Sequence, residues 1–276
     1  MKTRKFNEKD KDEICRLYIE EKWTQKLIYE KYHCSPQTIR NVLKERQVNI
    51  RSHPHMKDYK INEDYFNKID SEAKAYFLGL LFTDGNVFIR NKSGQISLEI
   101  HIQDKEILDK FKQEVNSNNT ISYRKRHNTE TVCFRISSYK MCLDLSKYGI
   151  IPNKTKKTKT LPDIPNEFKK DFIRGLIDGD GSIYQSSNKY NHVTFCSYQY
   201  NICNQLQNWC DELINSKNKA KILKDKGKEI YRVHYNNQEQ VKRLVTVLYK
   251  DSNFYLARKY SKAKAIFEDK SEEDIV

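Results

Sequence analysis

Two stretches of this chain, Tyr76-Phe77-Leu78-Gly79-Leu80-Leu81-Phe82-Thr83-Asp84-Gly85 and Phe172-Ile173-Arg174-Gly175-Leu176-Ile177-Asp178-Gly179-Asp180-Gly181, read as two versions of one element. Each is an apolar helical run with a glycine in its middle and Asp-Gly at its end. The closing glycine permits the left-handed residue that ends many helices, so a carboxylate is delivered where the helix stops. Small residues at Gly79 and Gly175 would let two such helices approach closely and set Asp84 beside Asp180. Two converging carboxylates make a site for hard divalent cations.

Either segment alone fits an ordinary buried helix with a glycine turn. The pair is set apart because the same order of patterns comes after each copy. Behind Asp84, Asn86 to Arg90 and Gln95 to Ile102 alternate around Asn91-Lys92-Ser93-Gly94, as a hairpin does. Asp104 to Val115 has helical period, with Ile107, Leu108, Phe111 and Val115 on one face. A second hairpin, Thr120 to Arg126 with Thr131 to Ser137, precedes a helix from Tyr139 to Tyr148. Behind Asp180 the order returns. The hairpins there are Ser182 to Gln185 with His192 to Tyr198, and Ala220 to Lys224 with Glu229 to Tyr235; the helices are Tyr200 to Ile214 and Gln238 to Tyr249. The expected fold is α+β: tandem αββαββα repeats, related by a pseudo-two-fold axis, whose two antiparallel sheets form a saddle.

A separate all-α unit precedes them. Asp10 to Glu21 and Thr24 to Lys31 read as helices, His33-Cys34 as a turn, and Ser35-Pro36 as an N-cap followed by proline at the first helical position. A third helix, Pro36 to Arg46, buries Ile39, Val42 and Leu43 and exposes Gln37, Thr38, Arg40, Asn41 and Lys44. That mix of side chains reads base edges and phosphates in a major groove. The unit resembles the helix-turn-helix units of resolvase-like DNA-binding proteins. The expected boundaries are 1–52 for this unit, 53–72 for a linker, 73–165 and 166–268 for the two repeats, and 269–276 for an acidic tail.

Charge agrees with a polyanionic partner: 51 Lys and Arg stand against 37 Asp and Glu, a formal net charge of +14. No apolar run approaches the roughly 20 residues a membrane helix needs, and the charged start is unlike a signal peptide. A soluble intracellular protein without a membrane partner is expected. The seven cysteines form no Cys-x-x-Cys pair, which fits reduced thiols rather than disulfides or zinc. A calcium loop beginning at Asp178 would need Gly and Glu where Ile183 and Lys189 stand.

The two motifs, with Phe77 to Gly85 and Ile173 to Gly181 as their signature nonapeptides, resemble the LAGLIDADG homing endonucleases over roughly residues 73 to 265. The second is the closer match, departing from the family string only at Gly179, whereas the first has Phe82 where the family often has an acid. The resemblance implies a monomeric, site-specific double-strand DNA endonuclease that leaves short 3′ overhangs at a long asymmetric target. It implies Mg²⁺ held between Asp84 and Asp180, with Mn²⁺ substituting and Ca²⁺ supporting binding without cleavage. It also implies a lysine near each scissile phosphate. Lys159, in Lys159-Thr160-Leu161-Pro162, matches the family context, and Lys259 is its counterpart, with Lys154, Lys157 and Lys262 as neighbours able to hold the role. The alternative function is a non-cleaving DNA- or RNA-binding relative, a maturase or a transcription regulator.

Strand alternation says which side chains would meet DNA. In the first copy Ile96, Leu98, Ile100 and Ile102 turn inward and leave Gln95, Ser97, Glu99 and His101 on the open face, joined by Arg135, Arg124 and Arg126. In the second copy the expected contacts are Gln185, Thr194, Lys221, Arg232 and His234.

Overall fold

The computed structural model describes residues 6–21, 23–50, 60–126 and 129–269, except the side chains of Arg126 and Lys156. These residues fall into two compact units, divided between residues 59 and 60. The expected contact through the Arg126 side chain, residues 53–59 of the expected linker, and the expected tail from residue 270 lie outside the described residues.

Side-chain caps define the helices of the amino-terminal unit. Asn7 and Asp10 form a reciprocal capping box at the start of α1 (Glu8–Ile19), Thr24 caps α2 (Gln25–Lys31), and Ser35 caps α3 (Pro36–Glu45). Ile14, Leu17, Ile28, Ile39 and Leu43 pack into one small core. Gln37, Arg40, Asn41 and Lys44 stand exposed along α3, with the Gln37 amide donating to Asn41 Oδ1 at 2.8 Å. Thr38 departs from expectation. It is buried, and its hydroxyl lies 2.8 Å from Ser35 Oγ, so it serves the helix cap rather than the exposed face.

In the larger unit α4 (Glu72–Thr83) is followed by β1 (Gly85–Arg90), β2 (Ser93–His101), α5 (Lys105–Glu114), β3 (Ser122–Arg126), β4 (Thr129–Ser137) and α6 (Tyr139–Lys147). After a short helix, α7 (Lys154–Lys157), the second copy runs α8 (Lys169–Asp180), β5 (Gly181–Gln185), β6 (Asn191–Ser197), α9 (Tyr200–Leu213), β7 (Lys221–Lys224), β8 (Tyr231–Tyr235) and α10 (Gln238–Tyr249), with α11 (Ala257–Phe267) last. The two antiparallel sheets have the same strand order, β1-β2-β4-β3 and β5-β6-β8-β7.

Both repeats share one hydrophobic core, running from Tyr65 to Ile266. Residues 60 to 72, expected to be linker, belong to it. Tyr65, Phe66 and Ile69 are buried there, and the rings of Phe66 and Phe111 lie 6.2 Å apart. Three large apolar side chains within five positions outweigh the lack of periodicity. The seven cysteines are free, and among the described residues no helix is long and apolar enough to cross a membrane.

Candidate active site

Helix α4 is apolar on every side and buried from Tyr76 through Phe82, because it is covered both by its own sheet and by α8. The contact with α8 is backbone against backbone. A Cβ added at Gly79 would lie 2.2 Å from the Phe172 carbonyl oxygen, and one at Gly175 would lie 2.2 Å from that of Tyr76. No side chain other than hydrogen fits either place. This contact brings the two C-terminal ends together: Asp84 caps α4, Asp180 is the last residue of α8, and a Cβ added at Gly179 would lie 3.1 Å from Asp84 Oδ2.

The closing glycines serve a different purpose from the one expected. Neither Gly85 nor Gly181 has positive φ, and Gly181 is extended in ψ, at φ −89° and ψ 174°. Each strand starts at once and doubles back over the last helical turn. A Cβ at Gly85 would meet the Leu81 carbonyl at 2.4 Å, and one at Gly181 would meet Ile177 Cα at 2.7 Å. Close approach, not a left-handed turn, demands glycine at both positions.

Asp84 and Asp180 are exposed to solvent, yet enough protein surrounds them to disfavour their charged forms. Burial, followed by the charge of Asp180, pushes the Asp84 carboxyl up to about 6. Burial also raises that of Asp180, against the opposing charges of Lys154 and Lys259. Among the described residues, no hydrogen bond or ion pair engages either carboxylate. Two crowded, unpartnered carboxylates form a donor set suited to a hard cation, which would remove the burden of both negative charges. Among the described residues no group of three or more His, Cys, Asp or Glu side chains converges elsewhere.

A lysine braces each acid from behind. Lys259 is buried, and its Nζ donates to the carbonyls of Ile177 at 2.6 Å, Asp178 at 2.5 Å and Gly181 at 2.9 Å. In the first copy the same place is taken by Lys154, whose Nζ donates to the carbonyls of Thr83, at 2.9 Å, and Gly85. Each ammonium thus spans the residues flanking an acid and satisfies the carbonyls a helix leaves open at its end. Burial lowers both lysines, Lys259 to about 8. Lys159 corrects the expectation: it is exposed beyond the end of α7 and makes no bond to the pair. The chain enters α7 through left-handed Asn153, which turns Lys154 rather than Lys159 toward the acids.

Two buried charges behind the site were not anticipated. Asp178 is fully enclosed and accepts from Tyr76 Oη, Tyr249 Oη and the Leu256 amide, each at 2.8 Å. Burial raises its carboxyl against these donors and the charge of Lys259. Arg174 is also buried, pairing with Glu72 at 2.8 Å and Asp171 at 2.9 Å and donating to the carbonyls of Leu248 and Phe254, both at 2.7 Å. Together they fasten α4, α8, α10 and the start of α11. The one available signal was that Tyr76, Arg174 and Asp178 are polar intrusions in otherwise apolar runs.

Strand register sorts the remaining residues. Gln95, Ser97, Glu99 and His101 share the face turned from the helices, opposite Ser137, Arg135, Cys133 and Thr131. Arg124 lies opposite Thr131 on that face and pairs with Glu99 at 2.7 Å, while the Thr131 hydroxyl donates to the other Glu99 oxygen. In the second sheet the open face carries His234, Lys221 opposite His234, and Arg232, which pairs with Asp225 at 3.0 Å; Thr194 has the expected phase, opposite His234, but departs from expectation in being buried. Gln185 falls out of phase, since it stands opposite Asn191, while Tyr184 and His192 occupy the open-face positions. Short strands offer too few alternating residues to fix the phase there.

Comparison with known proteins separates the two halves. A model of the LAGLIDADG-like domain matches residues 167–248, and a model of the WhiA LAGLIDADG-like domain matches residues 73–139. An uncharacterized protein of Methanocaldococcus jannaschii is 27% identical over 154 residues, 52% of this chain and 53% of that protein. The chain thus spans about half the length of the curated relative it matches. Among solved structures, meganuclease I-SmaMI bound to uncleavable DNA is similar at a TM-score of 0.49 and 14% identity, covering 71% of this chain and 90% of that one. The N-terminal LAGLIDADG domain of DUF199/WhiA is similar at a TM-score of 0.45 and 12% identity, covering 68% and 87%. With family models falling on both copies of a repeat whose acids end paired helices, this chain belongs to the LAGLIDADG family.

Proposed function

We propose that this protein is a divalent-metal-dependent endonuclease that hydrolyses both strands of a long, asymmetric double-stranded DNA site, acting as a monomer and leaving short 3′ overhangs. The observation that carries this reading is the unpartnered pair Asp84 and Asp180 at touching helix ends, each braced by a lysine, half-buried Lys154 or buried Lys259. Phosphodiester hydrolysis needs a nucleophilic water, neutralised phosphoryl charge and a stabilised departing 3′ oxygen, and bound Mg²⁺ supplies all three. Asp84 and Asp180 are the residues that would hold it. Lys154 and Lys259 fix the turns that aim those carboxylates and add positive charge beneath them. The open sheet faces, with Arg124, Arg135, Lys221 and Arg232, provide cationic and hydrogen-bonding groups for a duplex.

The test is a randomised duplex library incubated with Mg²⁺ and the wild type, Asp84→Asn or Asp180→Asn. Discrete double-strand cuts by the wild type, lost in both variants while binding in Ca²⁺ persists, are expected. The match of the first copy to a WhiA-type domain favours a second reading, a DNA-binding protein that does not cut. Sequence-selective binding without Mg²⁺-dependent cleavage would establish that one instead.

A further inference from the structure

The pseudo-symmetry places an exposed aromatic ring at the same step after each acid. Phe88 is four residues beyond Asp84 on β1, and Tyr184 is four beyond Asp180 on β5. Register sets Phe88 opposite Gln95 and Tyr184 opposite His192, so both rings lie on the open faces with the polar side chains already described. They are among the more exposed large apolar side chains of the larger unit, Phe88 at 57% and Tyr184 at 38%. Tyr184 is also held in place: its ring stacks on His192 at 4.9 Å, and His192 stacks on His234 at 5.1 Å with Nδ1 and Nε2 2.9 Å apart.

Resting on the DNA-cutting reading above, we propose that Phe88 and Tyr184 select the 5-methyl group of a pyrimidine at equivalent positions on the two sides of the cleavage centre. Phe88 has neither donor nor acceptor, so it cannot read a base edge by hydrogen bonding. Set against an unmethylated edge, it would strip water from base polar groups and return nothing. The 5-methyl of thymine is the apolar group that a major-groove edge presents, and an aromatic ring meets it favourably. Four residues of strand span roughly 13 Å, or about four nucleotide steps of a duplex, which sets where the two methyls should fall relative to the cuts. The neighbours on the same faces, Asn86 and Arg90 around Phe88 and Ser182 and His192 beside Tyr184, suit a polyanion rather than an apolar protein partner.

The full-length protein is used for the test, with randomised duplex libraries built from thymidine or from deoxyuridine, which removes the methyl alone. Thymine should be enriched at two positions flanking the cut, and replacing it by uracil at either should weaken binding roughly three- to tenfold, as loss of one buried methyl implies. Phe88→Ala should erase the preference at one position and Tyr184→Ala at the other. Tyr184→Phe should keep it, since the contact needs the ring and not the hydroxyl. Equal binding of thymine and uracil sites by the wild type, or discrimination that survives in both alanine variants, overturns the assignment while leaving the cutting activity intact. A wild type that binds neither library overturns the assignment and the DNA reading together.

Discussion

Asp84 carries a stability cost that a bound cation would remove. Its carboxyl sits near 6 in the folded metal-free protein, against an ordinary value of 3.8. An acid raised on folding favours the native state while protonated, and that contribution is lost as pH rises from about 4 through about 6. In EDTA, Asp84→Asn should therefore raise the thermal midpoint at pH 7 and leave it nearly unchanged near pH 4, as calorimetry would read. The gain should be no more than about 1 kcal/mol, because solvent reaches the side chain and screens its neighbours. Mg²⁺ should stabilise the wild type and not the variant. The lysines separate in the same way. If the proposed hydrolysis holds, Lys154→Met should slow it by roughly a hundredfold to a thousandfold, as loss of one preorganised electrostatic donor does, and Lys159→Met should leave the single-turnover rate unaltered. The acids are legible in the sequence because Asp-Gly closes an apolar run twice. The first lysine is not, because Lys154, Lys157 and Lys159 crowd one short segment and only the left-handed turn at Asn153 chooses among them.

Elements are easier to read than the reasons for their ends. Hairpins and helices follow from alternation and helical period, and α10 runs from Gln238 to Tyr249 as the pattern implies. The glycines closing each motif read locally as turn formers, but it is the crowding of strand on helix that requires them, and crowding depends on chain segments that local sequence does not place together. The mid-helix glycines make a sharper test. Gly79→Ala or Gly175→Ala should each force α4 and α8 apart, at a cost of roughly 1–3 kcal/mol or more for overpacking. The double variant should be less destabilised than the sum of the two, since one separation relieves both clashes. Chemical denaturation of the four proteins measures the difference. Full additivity would mean that the two glycines do not share one contact.

At the scale of the molecule, the helix-turn-helix reading of the amino-terminal unit predicts that α3 adds phosphate contacts of its own to those of the larger unit's sheets. The exposed cations of α3 are Arg40 and Lys44. Replacing both by Ala in the full chain should lower the log–log salt slope of binding by up to about 1.8, roughly 0.9 for each phosphate no longer neutralised. Cutting at the same bonds should continue. A slope and footprint identical to the wild type would show that α3 does not touch the duplex.

Helix α4, apolar on all sides, also fixes what kind of ancestry and divergence this chain can have. Its outer face is covered by the other copy, so one repeat alone is left with a bare stripe that only a similar helix, glycine opposite glycine, can close. A lone copy would seek a twin of itself. Once the two are fused on one chain, a change on the α4 stripe is felt at once on α8, and the halves must drift as a couple. Their sheets are under no such bond, and it is there, in Arg135 against His234 and Phe88 against Tyr184, that the two halves are free to grow apart.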